Sequence, residues 1–95
     1  MRKTGFTPEL LERARARQGG RCAICAVVLR PGARQSLHGE CKDHDHETGM
    51  ARGLLCGACN RALGFYEKSQ RAAGLVLEPY EKYLSAAETA NRLAD

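Results

Sequence analysis

"CKDHDHETGMARGLLCGACN", residues 41–60, puts three cysteines, two histidines, two aspartates and an asparagine within twenty residues. Such a run buries little apolar surface and is crowded with groups that bind metals or move protons. The residues around the polar knot decide the local fold. Glu40–His44 and Ala51–Leu55 read as two short strands, and "HETG" joins them, with Gly49 free to take positive φ. A helix then begins near Gly57 and carries Cys59, Asn60 and Leu63. Gly64 lies inside it at a cost of about 1 kcal/mol against alanine, so it marks a break or a close backbone approach.

Working towards the N-terminus, "CAICAVVLRPG" is a Cys-x-x-Cys turn followed by a short apolar run that Pro31-Gly32 closes. Cys22-x-x-Cys25 and Cys56-x-x-Cys59 form two pairs of the same spacing. Each pair can chelate one tetrahedral ion from a tight turn, and two such turns complete a closed four-thiolate site of the kind zinc occupies. The residues after the first cysteine of each pair, Ala23 and Gly57, are small, which suits a knuckle. Buried unliganded thiols are the plain alternative, and no βαβ pattern supports a redox pair. A closed site of this kind is structural rather than catalytic. Cys41 with His38 and His44 makes a rival ligand set. The matched pairs already saturate one ion, so Cys41 is expected to be a buried or half-buried free thiol.

With sulfur accounted for, "DHDH" remains. Asp43 and Asn60 offer hard oxygen donors of the sort Mg²⁺ selects, and a histidine can take a proton from water near neutral pH. Together they would make a hydrolytic site for a phosphodiester. The bland alternative is a surface hairpin in which Asp45 and Glu47 cap a turn and His46 is solvated. Adjacent strand residues point to opposite faces, yet Asp43 and His44 must both reach one phosphate. The strand must therefore end, twist or bulge at that point.

Ninety-five residues make one domain over 1–95, with a core at about 18–68. Chains this short often recruit a staple. No apolar run approaches a membrane span. The start, "MRKTGFTPELLERAR", has no apolar h-region, so no signal peptide is expected and the five cysteines are expected reduced, in the cytoplasm. Thr7-Pro8 reads as the start of a helix that runs to about Gln18 and stops at Gly19-Gly20, burying Leu10, Leu11 and Ala14. A last helix, about 79–94, repeats Tyr80, Tyr83, Leu84 and Ala87 at core spacing; this stripe closes the core or meets another chain. The net charge of +4 is concentrated in residues 1–34, with eight Lys/Arg against two Glu. Arginine supplies 11 of the 15 cations, which suits a phosphate-bearing partner. A solvated face would look the same.

"CAIC", "DHDHETG" and "RGLLCGACNRALG", in this order, resemble the phage recombination endonuclease VII family, within the His-Me finger (ββα-metal, HNH-type) nucleases. The likeness spans about residues 18–65, with a fainter one at "YEKYL". It implies an α+β fold with a zinc-braced hairpin and helix holding one catalytic Mg²⁺ or Mn²⁺. By position, Asp43 and Asn60 match the family's metal ligands, His44 its general base, His46 an accessory histidine, and Cys22, Cys25, Cys56 and Cys59 its zinc ligands. The implied products are a 5′-phosphate and a 3′-hydroxyl, and the implied setting is a phage or prophage. An acidic residue found a turn beyond the asparagine in some members is replaced here by Leu63, with Glu67 one turn further. Junction-resolving members carry further C-terminal helices, so phosphodiester cleavage is the expectation and junction resolution stays open.

Such a hairpin would meet duplex, nicked or branched DNA along the backbone. Arg52 and Arg61 flank the site and are candidate phosphate clamps, with solvent or ion-pair roles as the alternative. Phosphate contacts give salt-dependent affinity with little sequence choice. Cutting both strands would favour a homodimer. A non-catalytic four-cysteine module that binds nucleic acid or a protein is the rival reading, and it has no use for Asp43, His44 and Asn60.

Overall fold

Thr7 opens helix α1, Pro8–Gln18: its Oγ1 accepts a hydrogen bond from the Leu10 N–H at 3.2 Å, and Pro8 takes a position where a missing N–H costs nothing. Gly19, at φ 64°, ends it in the left-handed conformation that favours glycine. The computed structural model describes residues 6–32 and 36–94, with side chains as far as residue 87. Ala14 is the buried residue of α1, Leu11 packs at the core's edge, and Arg13 and Arg17 face solvent.

The hairpin follows, with β1 at Cys41–His44 and β2 at Ala51–Leu55, paired antiparallel. Glu40, expected as the first strand residue, lies just before β1. Part of the loop "ARQSLHGE", residues 33–35, lies outside the described residues. The register runs Cys41 to Leu55, Lys42 to Leu54 and Asp43 to Gly53, then shifts so that His44 faces Ala51. Arg52 is thus an extra residue in β2, so the hairpin bulges opposite Asp43 and His44, but Lys42 and His44 share one face and Asp43 stays on the other. A hairpin alone is marginal. Here the Gln18 side chain joins its outer edge, hydrogen-bonding both backbone groups of Leu54.

Helix α2, Gly57–Phe65, starts at the Cys56 cap. Gly57 is required by contact, because a Cβ there would overlap the Ser36 carbonyl oxygen. Gly64 meets no close backbone, contrary to one of its two expected roles; a Cβ there would have nothing within 4 Å. The helix instead changes register just beyond it, widening to a π-helical turn at Tyr66–Gln70. Helix α3, Glu78–Ala94, returns across β2. Tyr83 and Ala87 of its stripe are buried and Tyr80 and Leu84 pack against the core, so this stripe closes the core. The core gathers Leu54, Leu55, Leu63 and Tyr66, all fully buried, around the Cys22 and Cys56 ends of the knuckles. The architecture is α+β. No helix among the described residues is long and apolar enough to cross a membrane.

Candidate metal centre and active-site cleft

Two tight turns bring four sulfurs together. In the first, the Ala26 N–H closes on the Cys22 carbonyl at 2.9 Å, with Ala26 itself at φ 67°. In the second, the first turn of α2 supplies Cys56 and Cys59. The Sγ atoms of Cys22, Cys25, Cys56 and Cys59 all lie within 4.8 Å of one another, the one such cluster of potential ligands among the described residues. The Cys25 and Cys56 sulfurs are 3.7 Å apart. Sulfurs at ~2.3 Å from a tetrahedral ion would be about 3.8 Å apart, so the cluster fits zinc.

Charge supports the same fit. Burial pushes the Cys22 thiol up, but the backbone N–H groups of Cys25, Cys56 and Ile24 outweigh it and bring it down to about 7. Burial and the neighbouring sulfurs push Cys59 up. Four thiolates cannot coexist there without a cation. Cys41 is buried and stands outside the cluster, as expected, and His38 is exposed.

Beside this centre, β1 and the start of α2 wall a cleft of about 550 Å³. His44 and Asn60 both line it, with Lys42, Arg15 and Glu40. Neither the His44 imidazole nor the Asn60 amide has a hydrogen-bond partner among the described residues. Phe6 meets the imidazole edge to face, ring centroids 5.7 Å apart at 76°. Arg15 and Glu40 form a bidentate pair at 2.9 and 2.7 Å on the cleft wall.

Asp43 does not line this cleft. Its carboxylate, on a residue 5% exposed, faces the opposite side of β1 from Lys42 and is held by three donors. Oδ2 accepts from Arg52 Nε at 2.8 Å and from the Tyr83 hydroxyl at 2.7 Å, and Oδ1 accepts from Arg52 Nη2 at 3.1 Å. Arg52 also donates to both oxygens of Glu67 at 2.9 Å. Burial works against its charge, but Glu67 and Asp43 outweigh burial and raise its pKa. The surface clamp expected of Arg52 is therefore not what the structure presents. Its side chain is 8% exposed and committed to two carboxylates, because the bulge turns it inward.

Arg61 is exposed on α2, and His46 is exposed in the hairpin turn. Asp45 has the structural role considered for it. Its Oδ1 accepts from the Glu47 N–H at 2.8 Å and the Thr48 N–H at 3.2 Å, an Asx turn. Of the two hard donors expected to share a divalent cation, Asn60 lines the cleft with its amide uncommitted, whereas Asp43 lies outside it with both oxygens bonded to Arg52, so the two are not brought together. The sequence alone did not single out Phe6, Glu40 or the Tyr83 hydroxyl. Glu67, noted in the sequence as an acid beyond Asn60, was the one detectable signal, although the π-helical turn puts it with Arg52 rather than in the cleft with Asn60.

The family model described as recombination endonuclease VII matches residues 1–85. Two proteins called "Gene 59 protein", from Mycobacterium phage D29 and Mycobacterium phage L5, are each 43% identical over 67 residues, 65% of this chain and 38% of theirs. The chain spans under two fifths of the length of these curated relatives.

Proposed function

Since the chain belongs to the recombination endonuclease VII family, we propose that it is a metal-dependent endonuclease that hydrolyses DNA phosphodiesters. The observation that carries this reading is the cleft in which His44 and Asn60 meet with their polar atoms uncommitted. His44 takes a proton from water on an imidazole nitrogen. The water oxygen bonds to phosphorus, and the bond from phosphorus to the 3′ oxygen breaks. The 3′ oxygen leaves with a proton from solvent, giving a 5′-phosphate and a 3′-hydroxyl. Asn60 would hold Mg²⁺ or Mn²⁺ in the cleft, and Asp43 would join it only by giving up its Arg52 bonds; such an ion polarises the phosphate and steadies the leaving oxygen. Zinc on Cys22, Cys25, Cys56 and Cys59 is structural.

His46 lies in the turn beyond His44, where it can approach the phosphate from the solvent side. Lys42 on the cleft wall and exposed Arg61 are the phosphate contacts this geometry favours. None of them is laid out to read bases, so nicking is weakly sequence-selective or structure-selective on duplex, nicked or branched DNA. The proposed setting is a phage- or prophage-encoded protein acting in the bacterial cytoplasm. A homodimer cutting both strands would have to use a surface other than the α3 stripe, which the core occupies.

Supercoiled plasmid incubated with Mg²⁺ or Mn²⁺ is expected to become nicked. His44→Ala is expected to slow this by about 10²–10⁴-fold, the usual contribution of a general base, while retaining one zinc per chain. Zinc-loaded wild type that leaves plasmid and a four-way junction uncut with either ion would make the protein a non-catalytic zinc module.

A further inference from the structure

Arg15 and Arg52 each hold a carboxylate through Nε and Nη2, on one edge of the guanidinium. Arg15 holds Glu40 at 2.9 and 2.7 Å, and Arg52 holds Asp43 at 2.8 and 3.1 Å. The two arginines differ at the tip, where Nη1 and Nη2 of the rigid plane form a second fork. On Arg52 that fork is filled: both oxygens of Glu67 accept from it at 2.9 Å, and the side chain is 8% exposed. On Arg15 it has no partner among the described residues, and the side chain is 36% exposed. Arg15 also lines the cleft that His44 and Asn60 share. An arginine that serves structure alone looks like Arg52. Arg15 is locked in orientation with its tip left open. Burying the Glu40 carboxylate is costly, and an ion pair with a part-exposed arginine returns little stability. What the pair supplies is orientation, since it fixes the guanidinium plane before any ligand arrives. The open fork has the geometry for two oxygens of one oxyanion, as in a phosphate. Lys42 from β1 and the Asn60 amide from α2 line the same cleft, so three elements bring donors to it.

We propose that Arg15 is a DNA-binding residue whose tip grips a backbone phosphate of the strand in the cleft, with Glu40 as the positioning residue that holds the guanidinium for it. This makes α1 a wall of the substrate site and not only a cover for the core. The proposal rests on the nuclease reading above and adds a contact of a different kind from Lys42 and Arg61. Glu40 cancels the charge of Arg15 at a distance, so the pair adds almost nothing to long-range attraction. Its contribution is short-range and directional.

The test is the affinity of zinc-loaded protein for labelled duplex and four-way-junction DNA, read by fluorescence anisotropy without divalent ions at one fixed salt concentration. His44→Ala is the background throughout, so that nothing is cut. Adding Arg15→Gln with Glu40→Gln removes the fork, keeps the net charge and strands no buried carboxylate. That variant is expected to bind about 10–100-fold more weakly, the usual effect of losing hydrogen bonds to a charged group. Arg13→Gln removes a whole positive charge from the solvent face of the same helix and should lose less. Background affinity in the Arg15/Glu40 variant overturns the proposal, as does an equal loss in Arg13→Gln. If the Arg15/Glu40 variant fails to hold zinc, Arg15→Lys takes its place, because lysine keeps the charge and the Glu40 pair but has no second fork. Weaker binding then supports the proposal and background affinity overturns it. Plasmid nicking by protein with His44 intact decides the nuclease reading separately. Protein that cuts while the Arg15/Glu40 variant binds at background affinity keeps the nuclease and removes Arg15 from its site. Protein that cuts nothing, yet loses DNA affinity in that variant, keeps the phosphate contact and removes the nuclease. A background protein that binds neither DNA overturns the proposal.

Discussion

The Gln18 side chain pairs with the backbone of Leu54 as a third strand would, donating to its carbonyl at 2.9 Å and accepting from its N–H at 3.0 Å. The carbonyl has a second donor in the Ala23 N–H at 3.1 Å, so the N–H depends on Gln18. Leu54 is fully buried. Gln18→Ala therefore strands a buried donor and should cost about 1–3 kcal/mol. Gln18→Glu should cost at least as much, because a carboxylate oxygen would face the carbonyls of Leu54 and Arg21, which the amide now serves. Urea unfolding measures both as a lower midpoint at unchanged slope. A wild-type midpoint for Gln18→Ala would mean that Gln18 does not hold the strand edge.

Zinc removal should unfold the chain outright. The cluster joins the first knuckle to the start of α2, and Cys22 and Cys56 are themselves core residues. Structural zinc contributes roughly 10–16 kcal/mol of apparent folding free energy, against ~5–15 kcal/mol for a whole domain. A strong chelator should abolish the cooperative thermal transition, and re-added zinc should restore it. Cys56→Ser should lose the metal, whereas Cys41→Ser should still hold one zinc per chain. Loss of zinc from Cys41→Ser would show that the ligand assignment is wrong.

The hairpin turn should be acid-labile through Asp45. The Glu47 N–H holds its carboxyl below the ordinary aspartate range, with burial opposing and the Thr48 N–H adding to the lowering. A folded-state pKa lower than the unfolded one means that the stabilisation is complete above the ordinary aspartate value. It is lost as pH falls from there through the folded value. Amide exchange at Glu47 and Thr48 should speed up relative to β1 in that acid window. Asp45→Asn, which can accept the same bonds without titrating, should remove the pH dependence. A variant with the wild-type acid profile would assign the effect to another group.

What was legible in the sequence was what is local. Thr7-Pro8 and Gly19 bracket α1 within a turn of its ends, and matched Cys-x-x-Cys spacings picked out the four cysteines whose sulfurs cluster. An irregularity was expected at Asp43 and His44 and one is there, but it leaves His44 in the cleft and Asp43 outside it. The rest depends on partners distant along the chain. Gln18 meets Leu54 across 36 residues and Arg15 meets Glu40 across 25. No periodicity announces such pairs. Tyr83 was legible as a packing residue, because its i, i+3 spacing is a helical stripe, but spacing carries no information about where a hydroxyl points. Arg52 is the instructive miss. Charge and proximity to the site suggested a surface contact, and a single extra residue in β2 turned the guanidinium inward onto Asp43 and Glu67.

Among the described residues Phe6 is the one aromatic contact of the proposed base, standing edge to face with His44 at 5.7 Å. The His44 imidazole has no hydrogen bond among the described residues to fix its rotation, so this ring and the cleft wall must orient it. Aromatic pairs of this kind contribute about 0.5–1.5 kcal/mol beyond their area. Phe6→Leu, which keeps apolar bulk but not the ring, should reduce single-turnover nicking by roughly 2–10-fold on that scale. Zinc content and Mn²⁺ affinity should not change, since Phe6 touches neither the cysteines nor Asp43. Full activity in Phe6→Leu would mean that the cleft wall alone orients the imidazole.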